Sequence, residues 1–128
     1  MDYYFNKTLE TSFEEAVQKI VEALKTEGFG VISEINIHEK LKEKLNVDFR
    51  RYKILGACNP PYAHKALQVE DKIGTMLPCN VIVQELSVNR IEVAAVNPIA
   101  SMMAIQNPAL ADIAQEVTTI IQSVIKSL

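Results

Sequence analysis

In each of two stretches of the chain, one near each end, the spacing of the apolar residues places them on one face of a helix. The first stripe comprises Phe13, Ala16, Val17, Ile20, Val21 and Leu24, and the second comprises Leu110, Ile113, Ala114, Val117, Ile120, Ile121 and Val124. Both follow the period of an amphipathic helix, whose apolar face must be buried. The residues between the two stripes must therefore supply the layer against which the two helices pack.

The segments outside these helices alternate between apolar and polar residues, as strands do. We predict strands near 3–9, 31–37, 52–58, 81–83 and 90–96, and a short charged helix from His38 to Leu45. The second strand is expected to run antiparallel to the first. Two long helices and about five strands predict an α+β fold, a two-layer sandwich with a mainly antiparallel sheet and both helices on one face.

The predicted helix ends carry recognisable residues. A side chain that can accept a hydrogen bond precedes each of three helix starts, namely Ser12, Asn59 and Asn107. Glu15 completes a capping box with the first of these, and prolines at 60, 61 and 108 suit a first helical turn. Gly28 is predicted to end the first helix, and the helix after Asn59 is expected to end near Asp71.

Length and charge restrict the classes of protein to consider. A chain of 128 residues is most simply one domain, spanning residues 1–128. The net charge is -3, and acidic and basic residues are scattered along the sequence, so the chain has no positively charged region suited to nucleic-acid binding. The start of the chain lacks the features of a signal peptide, and no apolar run is long enough to span a membrane. We therefore expect a cytoplasmic protein with neither nucleic acid nor a membrane as partner.

The only two cysteines of the chain occur in similar short motifs, Cys58-Asn59-Pro60-Pro61 and Pro78-Cys79-Asn80, and His64 lies between the two motifs in the sequence. In a reducing compartment, paired cysteines are more often buried, metal-binding or reactive than permanently bonded to each other. Cys58 is predicted at a strand end and Cys79 at a strand start. Parallel strands would keep the two apart, so only an antiparallel or looped arrangement brings the sulfurs together.

Cys58 and His64 are the candidate catalytic residues. A helix starting after Asn59 would direct its positive end at Cys58 and favour the reactive thiolate form. His64 lies about one turn into that helix and would assist if its ring turned back. Pro60 and Pro61 lack two of the amide donors that make a helix start a good anion site, which argues against a phosphate cradle.

A longer string of residues resembles a known family. It reads VDFRRYKILGACNPP over 47–61, AHKAL over 63–67, and LPCNV over 77–81, and it closely resembles the DUF302 family; the similarity extends from Tyr3 to Pro108. The resemblance implies a small bacterial or archaeal α+β domain with a TBP-like helix-on-sheet fold, commonly dimeric, without a settled activity. Two positions depart from the family pattern: Arg51 stands where proline is common, and Asn97 where aspartate is common.

Three functions are compatible with these residues. The first is a small-ligand-binding or assembly domain, with a site formed by Cys58, Asn59, Pro60, Pro61, His64, Cys79 and Asn80. There Tyr62 is expected to cover the site. The second is thiol or persulfide chemistry at Cys58. The third is a zinc or copper site with Cys58, His64 and Cys79 as ligands, joined by Met102 or Met103 in the copper case.

Among these alternatives we favour the non-enzymatic binding or assembly domain. No spacing of the CxxC or HxxxH type supports the metal site, and no motif identifies a reaction. The apolar helix faces and the strand edges could be covered in a homodimer. The partners expected from the sequence are therefore a second copy of the chain and a small molecule of unspecified chemistry.

Overall fold

The computed structural model describes all residues, 1–128. Five strands and five α-helices follow one another along the chain, and a 3-10 helix, Asp71–Met76, precedes the fourth strand. The bounds are β1 Tyr4–Leu9, α1 Phe13–Thr26, β2 Gly30–Asn36, α2 Ile37–Leu45, β3 Tyr52–Cys58, α3 Pro60–Val69, β4 Cys79–Ser87, β5 Arg90–Val96, α4 Pro98–Ser101 and α5 Pro108–Lys126. None of these helices has the length and apolar character needed to cross a lipid bilayer.

The strands form one sheet in the order β1-β5-β4-β3-β2, and every neighbouring pair is antiparallel. This arrangement confirms the predicted α+β class. The prediction that β2 runs antiparallel to β1 is wrong, because β2 lies at the opposite edge and points the same way as β1. The helix α1 already reverses the chain direction, so the strand that follows it repeats the direction of the strand before it.

Helices α1 and α5 pack on one face of the sheet, as their apolar stripes predict. The main core of 18 buried residues contains Ile20 and Leu24 from α1, Ile121 from α5, and inward-facing strand residues such as Val83 and Val93. Strand residues of the other parity lie on the face that these two helices leave uncovered. One face of the sheet is therefore buried under α1 and α5, and the other face is left uncovered by them.

Most of the predicted helix ends are confirmed. The Ser12 hydroxyl accepts a hydrogen bond from the Glu15 amide at 3.2 Å, and the Asn107 side chain accepts one from the Ala109 amide at 3.0 Å. Gly28 follows α1 with a φ of 84°, a left-handed conformation that glycine adopts without a steric penalty. Its amide and that of the next residue bond back to the last turn of α1, which satisfies carbonyls that the helix cannot pair internally.

Candidate functional site

The end of β3 and the beginning of β4 lie side by side. Ala57 of β3 is directly opposite Cys79 of β4, so Cys58 is one residue from the position facing Cys79. The two strands are antiparallel, which is the arrangement that the sequence required for the thiols to approach each other. Both cysteines are free, and both line the same cavity.

This cavity has a volume of about 230 Å³ and lies between α3, α5 and the strand ends. Of its 17 lining residues 14 are hydrophobic, so its occupant would be held by burial of apolar surface. The cavity reaches the protein surface, because several of its lining residues remain accessible: Ile32 is 65% exposed, while Cys58 and Tyr62 are half-buried. Tyr62, which the sequence analysis expects to cover the site, is among the lining residues.

The helical period of α3 decides which of its side chains reach the cavity. Tyr62, Ala63 and Ala66 line it, and His64 does not. At about 100° per residue, His64 points some 200° away from Tyr62, and its side chain is exposed to solvent. His64 therefore does not share the cavity wall with Cys58.

Asn59 occupies the residue before α3, as predicted, but its side chain does not cap the helix. Instead the amide is buried and its Nδ2 donates a hydrogen bond to the Glu27 carbonyl at 3.4 Å. This contact ties the start of α3 to the turn after α1. Asn59 also lines the cavity, although the sequence suggested it as the cap of α3.

Three further predicted ligand-binding residues lie outside the cavity. Pro60 and Pro61 are exposed at the start of α3. Asn80 pairs with Gly56 across the sheet and faces the uncovered side, where it borders a separate depression. Successive strand residues point to opposite faces, so Cys79 and Asn80 cannot contribute to the same site.

The predicted zinc or copper ligands are not assembled. Cys58 and Cys79 share the cavity, but His64 is on the far side of α3, and no group of three His, Cys, Asp or Glu side chains is arranged to hold a metal ion. The two methionines also separate: Met102 lines the cavity, whereas Met103 is 70% exposed. The site therefore has the character of an apolar pocket with two thiols in its wall.

The electrostatics of the wall are set by burial. Burial, followed by the charge of neighbouring Cys58, raises the pKa of the Cys79 thiol to about 11, so Cys79 stays protonated near neutral pH. A hydrogen bond with the Glu116 carboxylate raises the pKa of the Tyr62 hydroxyl, which keeps that group neutral as well. The cavity therefore presents uncharged groups at these two positions.

Residues of α5 form a wall of the cavity that was not predicted as part of the site. Leu110, Ile113, Ala114 and Val117 line it, at the i, i+3, i+4 and i+7 spacing of one helix face. The sequence signal for these residues was the apolar stripe itself, which predicts burial without distinguishing a packed core from the lining of a cavity. The small side chain of Ala114 was the one local hint of unfilled space.

Comparison with known proteins places the chain in a family. The family model described as "Domain of unknown function DUF302" matches residues 5–128. The chain belongs to the DUF302 family. A crystal structure of an uncharacterised conserved DUF302 protein from Bacillus stearothermophilus is similar, with a TM-score of 0.89, 28% identity and 98% of each chain covered. A search of curated proteins found no significant match.

The two departures from the DUF302 pattern have structural roles here. The Asn97 side chain is buried; it accepts a hydrogen bond from the Ile99 amide at 3.1 Å and donates one to the Asp2 carbonyl at 3.1 Å. A carboxylate could not make the second of these bonds. Arg51 contacts the Glu14 carboxylate at 2.7 Å and lies 4.2 Å over the Phe13 ring. Both residues hold elements together and lie outside the cavity.

Proposed function

We propose that this DUF302 domain binds a small, uncharged, apolar molecule in the cavity between α3 and α5. The observation that carries the proposal is the cavity itself, whose wall is hydrophobic at 14 of 17 positions. Well-packed domains contain few voids larger than a water molecule, so an apolar space of this size is a departure from ordinary packing. Binding pockets for small molecules are concave and mostly apolar in the same way.

The size and chemistry of the wall indicate a class of ligand. An apolar cavity of about 150 Å³ holds benzene, so about 230 Å³ suits a bicyclic aromatic or a medium-length alkyl group. The polar side chains in the wall offer little to a charged ligand, because Cys79 stays protonated and the Asn59 amide already bonds to Glu27. Transfer of an ion into such a site would carry a large desolvation cost.

Ligand binding is tested with naphthalene as the probe and naphthalene-2-sulfonate as its charged counterpart. We expect naphthalene to shift the methyl NMR signals of cavity residues such as Leu110, Ile113 and Val117, while the sulfonate leaves them unchanged. Ala114→Leu fills the cavity and should weaken naphthalene binding at least tenfold. Ala111→Leu, on the exposed side of the same helix, is the matched control and should bind as the original chain does.

The proposal fails if naphthalene shifts no cavity methyl group below its solubility limit. It also fails if the Ala114→Leu and Ala111→Leu variants bind the probe equally well, since the probe would then occupy another surface. Thermal unfolding of both variants controls for folding. Filling a void with a leucine is expected to preserve or raise the melting temperature, so loss of binding would not arise from loss of structure.

A second function, assembly into a homodimer, is favoured by the uncovered face of the sheet. One row across this face runs through Asn6, Ala94, Ile82, Ile54 and Ile35, with one residue from each strand. Four of the five side chains are apolar, although the exposed face of an antiparallel sheet is ordinarily polar. A continuous apolar stripe on a surface is typical of an interaction site. We propose a second copy of the chain as the partner, related by a two-fold axis through this face.

A further inference from the structure

A further depression lies where the beginning of α1, the beginning of α2 and the beginning of β3 meet. It has a volume of about 240 Å³, and none of its eight lining residues belongs to the apolar cavity. Only Phe13 and Val17 of these residues are hydrophobic, and five of the other six have titratable side chains. This charged pocket is therefore separate from the apolar cavity and differs from it in chemistry.

The two carboxylates of the charged pocket already have partners. Arg51 Nη2 lies 2.7 Å from Glu14 Oε1, and Asn36 Nδ2 donates a hydrogen bond to Glu39 Oε2 at 3.3 Å. Both glutamates are exposed to solvent, whereas Arg51 is half-buried. Water and salt therefore screen the negative charges of the pocket more strongly than its less exposed positive charge.

Lys53 is a cation of this pocket that has no partner. It shares the face of β3 with buried Leu55, because alternate residues of a strand point the same way. Lys53 is half-buried, yet its ammonium group takes part in none of the four ion pairs of the chain. Its charge nevertheless reaches the pocket, since it adds to the hydrogen bond with Arg51 in lowering the pKa of the Glu14 carboxyl.

His38 supplies a second free donor. The backbone N–H of Tyr52 donates to His38 Nδ1 at 2.9 Å, and the Tyr52 carbonyl lies 3.1 Å from the same nitrogen. The shorter contact requires a lone pair on Nδ1, so the neutral imidazole carries its proton on Nε2. Both contacts of the ring are made by Nδ1, and the Nε2–H therefore remains available to an acceptor.

We propose that the charged pocket binds a small organic carboxylate, held by the Lys53 ammonium group and the Nε2–H of His38. The free groups of the pocket are donors and its carboxylates are already engaged, so the partner they lack is an acceptor. An ionised carboxylate only accepts hydrogen bonds, and its bonds to charged donors are stronger than those between neutral groups. The proposal goes beyond the ligand-binding and assembly functions and depends on neither of them.

Charge and shape narrow the class of ligand. The one unpaired cation matches one negative charge, whereas a phosphate dianion would be repelled more strongly by Glu14 and Glu39. The pocket exceeds the space that a carboxylate group alone occupies, and Phe13 and Val17 offer apolar surface to the rest of the molecule. A monocarboxylate with a small apolar body fits these features.

Benzoate is the probe, with benzyl alcohol as its uncharged counterpart and inorganic phosphate as an anion without an apolar body. Each is added to the full-length chain at neutral pH and compared with sodium chloride at equal ionic strength. We expect benzoate to shift the backbone amide NMR signals of residues 36–39 and 51–53 to saturation. Benzyl alcohol should leave these signals unchanged, and phosphate should bind at least about tenfold more weakly than benzoate.

Matched variants identify the donors. Lys53→Met keeps the aliphatic stem without its charge and should weaken benzoate binding at least about tenfold. Lys44→Met removes the same charge from an exposed position of α2 outside the pocket and should bind benzoate as the original chain does. His38→Asn still offers an acceptor to the Tyr52 amide but lacks the Nε2–H, so it should also weaken binding.

The proposal is overturned if Lys53→Met and Lys44→Met bind benzoate equally well, or if benzyl alcohol shifts the same signals. Tighter binding of phosphate than of benzoate would overturn the assignment to a carboxylate. Ala114→Leu, which fills the apolar cavity, should bind benzoate normally; loss of benzoate binding in this variant would place the probe in the cavity and overturn the proposal. Lys53→Gln replaces Lys53→Met if circular dichroism finds that variant unfolded.

Discussion

At the scale of single residues, the fold acts most directly on the thiol of Cys79. This side chain lies among Leu55, Val81 and other core residues, and its pKa is raised from the ordinary value of 9.0 to about 11. The folded chain therefore keeps the Cys79 proton at alkaline pH, whereas the unfolded chain releases it near the ordinary value. The difference in proton binding makes the free energy of unfolding depend on pH.

We predict that the contribution of Cys79 to stability is complete below about pH 9 and is lost as the pH rises to about 11. Relative to Cys79→Ala, the original chain should lose about 2–3 kcal/mol of unfolding free energy across this interval. Urea denaturation of both reduced proteins at several pH values measures the difference, because the tyrosines and lysines titrate alike in the two. Parallel stability curves would contradict the prediction.

Single residues also mark the limit of what could be predicted of the site. The cavity lining includes five residues that the sequence analysis had singled out: Cys58, Asn59, Tyr62, Cys79 and Met102. The sequence placed His64 on the correct helix but could not tell which side of α3 packs against α5, because alanines at 63 and 66 give a weak apolar stripe. The rotation of α3 depends on its tertiary neighbours, which have no local signature.

At the scale of elements, one sequence signature has two outcomes. Asparagine followed by proline begins α3, α4 and α5; Asn97 and Asn107 cap their helices, whereas Asn59 does not. The Asn59 amide is used instead by the turn after α1, where it bonds to Glu27. The presence of these helices was therefore predictable from the spacing of apolar residues and from proline in the first turn. Whether the asparagine side chain caps its helix could not be predicted, because that depends on which hydrogen-bonding groups tertiary packing brings close to it.

Asn107 also joins two helices. Its side-chain oxygen caps α5, while its Nδ2 donates to the Val69 carbonyl at 2.8 Å and to the Glu70 carboxylate at 3.1 Å. We predict that Asn107→Ala lowers the free energy of unfolding by about 1–2 kcal/mol, because the cap and the link to the end of α3 are lost together. Chemical denaturation measures the loss.

Asn107→Ser separates the two contributions. Serine retains a hydroxyl that can cap α5 but cannot reach across to Val69, so its stability should lie between those of the original chain and the alanine variant. If Asn107→Ser is as stable as the original chain, the link between α3 and α5 contributes nothing measurable. If Asn107→Ala is also unchanged, the cap itself is without effect.

At the scale of the whole molecule, the two layers were predictable and the strand order was not. Two amphipathic stripes and five alternating segments require helices on one face of a sheet. The order β1-β5-β4-β3-β2 places the first two strands at opposite edges, because α1 crosses the sheet between them. Local periodicity contains no information about which edge a strand joins, so the direction of β2 was predicted wrongly.

The proposed dimer makes a prediction at this scale. We expect the chain to sediment at tens of micromolar with a mass of twice 14.3 kDa, and Ile82→Asp to sediment as a single chain. Ile82 lies at the centre of the apolar row, where an aspartate would be buried without a partner. Val88→Asp, at the hairpin tip where Val88 is 88% exposed, is the control and should remain dimeric.

Sedimentation of the original chain as a monomer at these concentrations would rule out the dimer. A dimeric Ile82→Asp variant would instead indicate an interface elsewhere on the molecule. Neither result affects the cavity, which lies on the helix-covered side of the sheet.

The strand order also has a consequence for protein synthesis. β1 is synthesised before the other four strands of the sheet, yet its only partner is β5, which begins at Arg90. The strands β3 and β4 can each pair with the strand made just before them, while β1 has to wait until β5, the last of the five strands, has been translated. Lys7 of β1 then donates to the carbonyls of Lys126 and Leu128 at the end of α5. The contacts of β1 with β5 and α5 thus form only after the other strands have been made.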